Sequence, residues 1–162
     1  MKYNSSKLIL IASRPTVGKT ALAKYVTNKY AKKHSDKNVV FFNLEQSQSP
    51  FTSITEIQAK LRNIKNLGLV VIDYLQLMSD DTREYGRIMQ ELKSIAEDFN
   101  VPVIITSQLP RSVKRRRPKL ADLQEFGDIK QYADIIIFLH RDSEYCCRCE
   151  IVKNERRKPY ER

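Results

Sequence analysis

The sequence has 162 residues, a length that fits one domain with a sizeable core, read here as residues 1–162. Lysine and arginine number 29 against 19 aspartate and glutamate, a net charge of +10, while an apolar share of 41% gathered in short clusters argues against a disordered chain. No stretch nears the about 18 consecutive apolar residues of a membrane span, and the run 8–12 is shorter than the ~7–15 apolar residues of a secretory signal, so no membrane partner and a cytoplasmic location are expected.

In chain order, the apolar run 8–12 is followed by a loop, 13–20, and a helix-favouring stretch to about Lys33. Residues 39–44 form a second apolar run. Ser53 and Glu56 have capping-box spacing, in which each side chain satisfies an unpaired backbone N–H of the other. The helix they open carries Ile54, Ile57, Leu61 and Ile64 on one stripe. Residues 69–74 form the third run. A helix predicted over about 82–99 puts Ile88, Leu92, Ile95, Ala96 and Phe99 on one face. Asn100, Val101 and Pro102 stop it and begin the fourth run, 103–106. Residues 133–139 make a fifth run, and 148–153 a sixth strand at an edge. Short apolar strands alternating with helices indicate an α/β fold with a mostly parallel central sheet flanked by helices. In such a sheet, ligands bind at the carboxyl ends of the strands.

Charge is uneven. Residues 1–37 carry nine basic side chains and one acidic. Residues 111–119 hold six cations and no acid, with Arg115, Arg116 and Arg117 at the centre. Such a run suits a polyanion, because each neutralised phosphate releases counterions. A solvated loop that keeps the protein in solution is the other reading, and charge alone does not choose between them. Cys146, Cys147 and Cys149 cluster near His140, but their spacing is not that of paired zinc ligands, and an ordinary reduced strand is expected.

Ser13, Arg14, Pro15, Thr16, Val17, Gly18, Lys19 and Thr20 follow the first strand and open a helix. They match G-x-x-x-x-G-K-[ST] with Ser13 at the first glycine. Backbone N–H groups at a helix N-terminus cradle phosphates, a lysine reaches the outer ones, and the Thr20 hydroxyl can bind magnesium. Asp73 ends the third run after four apolar residues, where it can hold magnesium through a water or cap the next turn. Glu45 ends the second run, and a carboxylate there can polarise an attacking water. Gln108 ends the fourth, where its amide can sense a γ-phosphate or contact nucleic acid. Taken alone, Glu45 and Gln108 read equally well as loop residues bonded to local backbone.

Together these pieces resemble the C-terminal RecA-like ATPase domain of DnaB-family replicative DNA helicases, in a shortened form. Residues 12–20, 42–47, 67–78, 100–109, 120–127 and 133–142 carry the resemblance. It implies a RecA-like P-loop NTPase that binds ATP and Mg2+ and hydrolyses ATP with water activated by Glu45. Asp73 would serve magnesium from the second sphere, and Gln108 would sense the γ-phosphate. Family members form hexameric rings in which a neighbour supplies a lysine and an arginine finger; Lys153 and Arg156 occupy that region here. Single-stranded DNA and further helicase subunits are the implied partners. The family's DNA-contacting loop usually reads Arg-Glu-Ser-Gly, where this chain has Gln124, Glu125, Phe126 and Gly127. The family's N-terminal domain and linker have no counterpart here, nor have some forty or more residues after Gln46. The alternative is a non-hydrolysing accessory module for nucleotide or nucleic acid, or a vestigial helicase fragment.

Overall fold

A computed structural model describes residues 6–46, 53–110, 113, 116–143 and 146–154. Six strands form one sheet: β1 (Leu8–Ser13), β2 (Asn38–Asn43), β3 (Leu67–Asp73), β4 (Val103–Gln108), β5 (Ile135–Ser143) and β6 (Cys146–Asn154). Their order is β2-β3-β4-β1-β5-β6. The first five run parallel, and β6 turns back antiparallel on β5 at the edge. This is the mostly parallel sheet expected from the alternation of apolar runs and helices. The fourth strand lies between the first and third.

The sheet is covered on both faces, which is why its central strands are apolar on successive residues. Helix α1 (Lys19–Lys33) packs on one face over Ile11, Leu69, Val71 and Ile104 through Ala23, Leu22, Val26 and Tyr30. The larger core lies on the other face, under α2 (Ile54–Arg62), α3 (Tyr85–Asp98) and the single turn α4 (Ile129–Tyr132). There Leu8, Leu10, Val70, Ile72, Val103 and Ile105 meet Ile57, Leu61, Met89, Leu92 and Ile95, all fully buried.

Local rules account for the helix ends. Ser53 Oγ accepts the Glu56 N–H at 3.2 Å, the anticipated cap of α2. The expected stripe along α2 is one residue too long: the helix stops at Arg62, and Ile64 remains 37% exposed. The expected start at Thr82 is a 3-10 turn capped by Asp81, whose Oδ1 accepts the Arg83 N–H at 2.9 Å; α3 proper begins at Tyr85. At its other end Asn100 is left-handed at φ 51, and Val101 N–H reaches back to Ala96 O at 3.1 Å.

One polar staple joins the amino ends of the central strands. Asp134, 4% exposed, accepts the Leu8 N–H at 2.7 Å and Lys93 Nζ at 2.9 and 2.7 Å through its two oxygens. Burial pulls Lys93 down, but its bonds to Asp134 outweigh this and leave its pKa above the ordinary lysine value. The staple fixes α3 against β1 and β5.

Candidate active site

The opposite edge of the sheet differs in character. Four parallel strands end there in Ser13, Asn43, Asp73 and Gln108. Register sets Ser13 beside Gln108 and Asn43 beside Asp73. The two-residue alternation that places Ile11, Phe41, Val71 and Ile104 against α1 brings Ser13, Asn43, Asp73, Thr106 and Gln108 to that same face.

Between β1 and α1 the chain makes a tight loop. Gly18 is the N-cap of α1 at φ 108, and a Cβ there would meet nothing within 4 Å, so the backbone angle and not crowding calls for glycine. Thr16 is also left-handed, at φ 63, an uncommon state for a β-branched residue. Ser13 sits where the motif has its first glycine. It is a buried, extended strand residue whose hydroxyl donates to Arg14 O at 3.0 Å. The positive angles fall on Thr16 and Gly18, so serine is accommodated. No side chain caps α1, and the helix dipole and first-turn N–H groups face a hollow of about 600 Å³. Pro15, Thr16, Gly18, Lys19, Thr20 and Lys24 line the hollow on one side, and Glu45 and Gln108 on the other. Ser13, Arg14 and Val17 do not line it.

Lys19 lies at the centre of the charge arrangement. Its Nζ is 3.5 Å from Asp73 Oδ1, 3.7 Å from Glu45 Oε1 and 4.1 Å from the centroid of the Tyr74 ring. The two carboxylates have different surroundings. Asp73 is fully buried, whereas the Glu45 side chain, on the 3-10 turn after β2, is 47% exposed. Asp73 Oδ1 also accepts the Thr106 hydroxyl, while its Oδ2 is buried with no partner; so is Asn43 Oδ1 on the adjoining strand. Buried acceptors without donors are uncommon in folded proteins and suit the water shell of a hydrated cation. Burial first, then Glu45 and Asp73, raise the Tyr74 hydroxyl above the ordinary tyrosine value, which keeps it neutral. Sequence reasoning missed Asn43, Tyr74 and Thr106, although Asn43 ends an apolar run just as Asp73 does.

Other expected residues lie apart from the hollow. Lys153 pairs in register with Ile136, near the amino end of β5, so β6 carries it to the far edge of the sheet. Arg115 and Arg156 lie outside the described residues. Arg116 is held down: its guanidinium meets Asp122 at 2.9 and 2.5 Å and donates to Arg117 O at 3.1 Å. The Arg116 hydrogen bond holds the Asp122 carboxyl below the usual carboxylate range. Arg117, Gln124, Glu125 and Gly127 are exposed, the last at φ 68. Phe126 turns inward, its ring centroid 5.9 Å from that of Tyr85. Cys147 Sγ lies 3.7 Å from Val17 O, so β6 abuts the loop before α1. Burial and then Cys147 raise the Cys149 thiol above its ordinary value.

Comparison with known proteins follows the same outline. Residues 2–52 and 47–160 match the model of the DnaB-like helicase C-terminal domain. The replicative DNA helicase DnaB of Geobacillus stearothermophilus is 33% identical over 204 aligned residues, covering 88% of this chain and 45% of that protein. The replicative DNA helicase DnaC of Bacillus subtilis is 34% identical with the same coverage. DnaB of Rickettsia prowazekii is 32% identical over 94% of this chain and 46% of its own length. The chain therefore spans about half the length of the curated relatives it matches. The alignments exceed the chain's 162 residues, so the relatives carry positions it lacks, and the two matched segments meet at residues 47–52, after Glu45. Among solved structures, a helicase ATPase domain superposes with a TM-score of 0.82 and 27% identity, over 94% of this chain and 78% of that one. No helix among the described residues is long and apolar enough to cross a membrane.

Proposed function

The chain belongs to the DnaB-like helicase C-terminal domain family, and from that premise we propose that it binds MgATP in the hollow at the head of α1 and hydrolyses it to serve a DNA motor. The observation that carries this reading is the meeting of Lys19, Asp73 and Glu45 beside that hollow. In this reading residues 1–162 form one motor domain. The first-turn N–H groups of α1 hold the phosphates, and Lys19 leaves its carboxylates for the outer ones. Thr20 and, through water, Asp73 would hold magnesium, which when bound offsets phosphate charge. Glu45, exposed to the hollow, orients the attacking water and accepts its proton. Asp73, buried and bonded to Thr106, serves the cation instead. Different surroundings thus give two carboxylates two tasks.

Lys153 and Arg156 act in this scheme on the site of an adjoining subunit, which agrees with the distance of Lys153 from its own hollow. A finger supplied in trans is worth about 10³–10⁵-fold in rate in related phosphoryl transfer. The segment 111–117 and the exposed Gln124, Glu125 and Gly127 are the proposed contacts to single-stranded DNA. Steady-state ATP hydrolysis measured across protein concentration tests the scheme. The rate per subunit is expected to rise with concentration and with added single-stranded DNA. A flat zero rate alongside retained ATP binding would instead mark a non-hydrolysing accessory module.

A further inference from the structure

We propose that Gln76 is a positioning residue that holds Gln108 in register with the phosphate loop and responds when the hollow fills. The proposal deepens the nucleotide reading above and rests on it.

The starting point is a gap in the sheet. Strands β3 and β4 pair only from Val70 beside Val103 to Ile72 beside Ile105. Beyond Asp73 the chain of β3 leaves the sheet for a 3-10 turn, Leu75–Leu77, while β4 continues to Gln108. The backbone of Gln108 thus loses its strand partner on that side, and both of its polar groups need replacements. The carboxamide of Gln76 supplies them. Gln108 N–H donates to Gln76 Oε1 at 3.1 Å, and Gln76 Nε2 donates to Gln108 O at 3.1 Å and to Ser107 Oγ at 2.9 Å. On the other side, Leu109 N–H donates to Ser13 O at 2.7 Å. The end of β4 is therefore suspended between the phosphate loop and a side chain three residues after Asp73.

A carboxamide bonded to both the N–H and the C=O of one residue fixes that residue's backbone, and with it the direction of the Gln108 side chain into the hollow. Backbone satisfaction alone needed only a longer β3. A side-chain clamp instead ties Gln108 to the segment that leaves Asp73, so a displacement of one is felt by the other.

NMR of the full chain during addition of ATPγS and Mg2+ reads this directly. The Gln76 side-chain amide is expected to shift together with the Gly18 and Lys19 backbone amides. In Gln108→Ala, Gly18 and Lys19 still shift and Gln76 does not. Shifts at Gly18 and Lys19 without one at Gln76 overturn the clamp and leave the nucleotide reading intact. No shift at any of them overturns the nucleotide reading and the clamp with it. In turnover, Gln76→Met is expected to lower kcat ~10- to 100-fold with little change in KM for ATP. Combined with Gln108→Ala it lowers kcat no further. Unchanged kcat, or losses that simply add, contradict the proposal. If Gln76→Met does not fold, Gln76→Glu keeps the acceptor for Gln108 N–H and loses both donated bonds. The same split between kcat and KM is expected of it, and unchanged kcat contradicts the clamp.

Discussion

Two buried aspartates, each with a lysine, stand at opposite edges of one sheet. At the amino edge Asp134 is closed: its oxygens take the Leu8 N–H and the Lys93 ammonium at 2.7 to 2.9 Å. At the carboxyl edge Asp73 is open: Lys19 stands off at 3.5 Å, and Oδ2 has no partner. Residue type and burial are nearly the same. What separates them is whether the protein completes the hydrogen bonding itself. A completed pair holds the fold, and an incomplete one leaves room for something to bind.

The contrast is broken most forcefully by removing the closed pair. Asp134→Ala should cost ~3–5 kcal/mol in denaturant unfolding, because Lys93 and the Leu8 N–H lose a buried partner. Asp73→Ala should cost clearly less; equal losses would erase the distinction. Glu45→Gln tests the open edge kinetically. It should lower ATP turnover by ~10²–10⁴-fold while ATP still binds, and surviving turnover places the base elsewhere. Next, Lys19→Ala should weaken ATP binding ~10- to 100-fold in calorimetry, whereas Lys93→Ala should leave affinity alone and lower only stability. The smallest effect concerns the basic segment. Arg115→Ala, Arg116→Ala and Arg117→Ala together should weaken binding to single-stranded DNA and flatten its salt dependence.

Arg116 adds a pH signature. It holds the Asp122 pKa below its unfolded value, so the stabilisation is complete above the unfolded carboxylate pKa, about 3.9, and is lost as pH falls through the folded one. The stability difference between the protein and Arg116→Ala should therefore fade on acidification. A difference that grows in acid would contradict the pairing.

The open edge was largely legible in the sequence, and the closed edge was not. Asp73, Glu45 and Gln108 each follow an apolar run, and a parallel sheet sends the ends of such runs to one edge. Gly18, Lys19 and Thr20 are local to one turn and need no tertiary information. Lys93 and Asp134, by contrast, are separated by 41 positions, and only the packing of α3 on the sheet unites them. Thr106 and Asn43 became visible once strand positions were known, since each stands beside Asp73 from another strand. Gln76 is hidden for a subtler reason: its task exists only because β3 leaves the sheet before β4 does. Phe126 stands in a loop expected to face DNA, but its ring finds Tyr85 and closes the core instead.

Titration of ATPγS with Mg2+ into the full chain and into Lys19→Ala, followed by calorimetry, tests the central claim most directly. The account predicts saturable binding at one site per chain that is lost or greatly weakened by the substitution. Absence of binding to the unsubstituted chain, or equal affinity in the two, would contradict it.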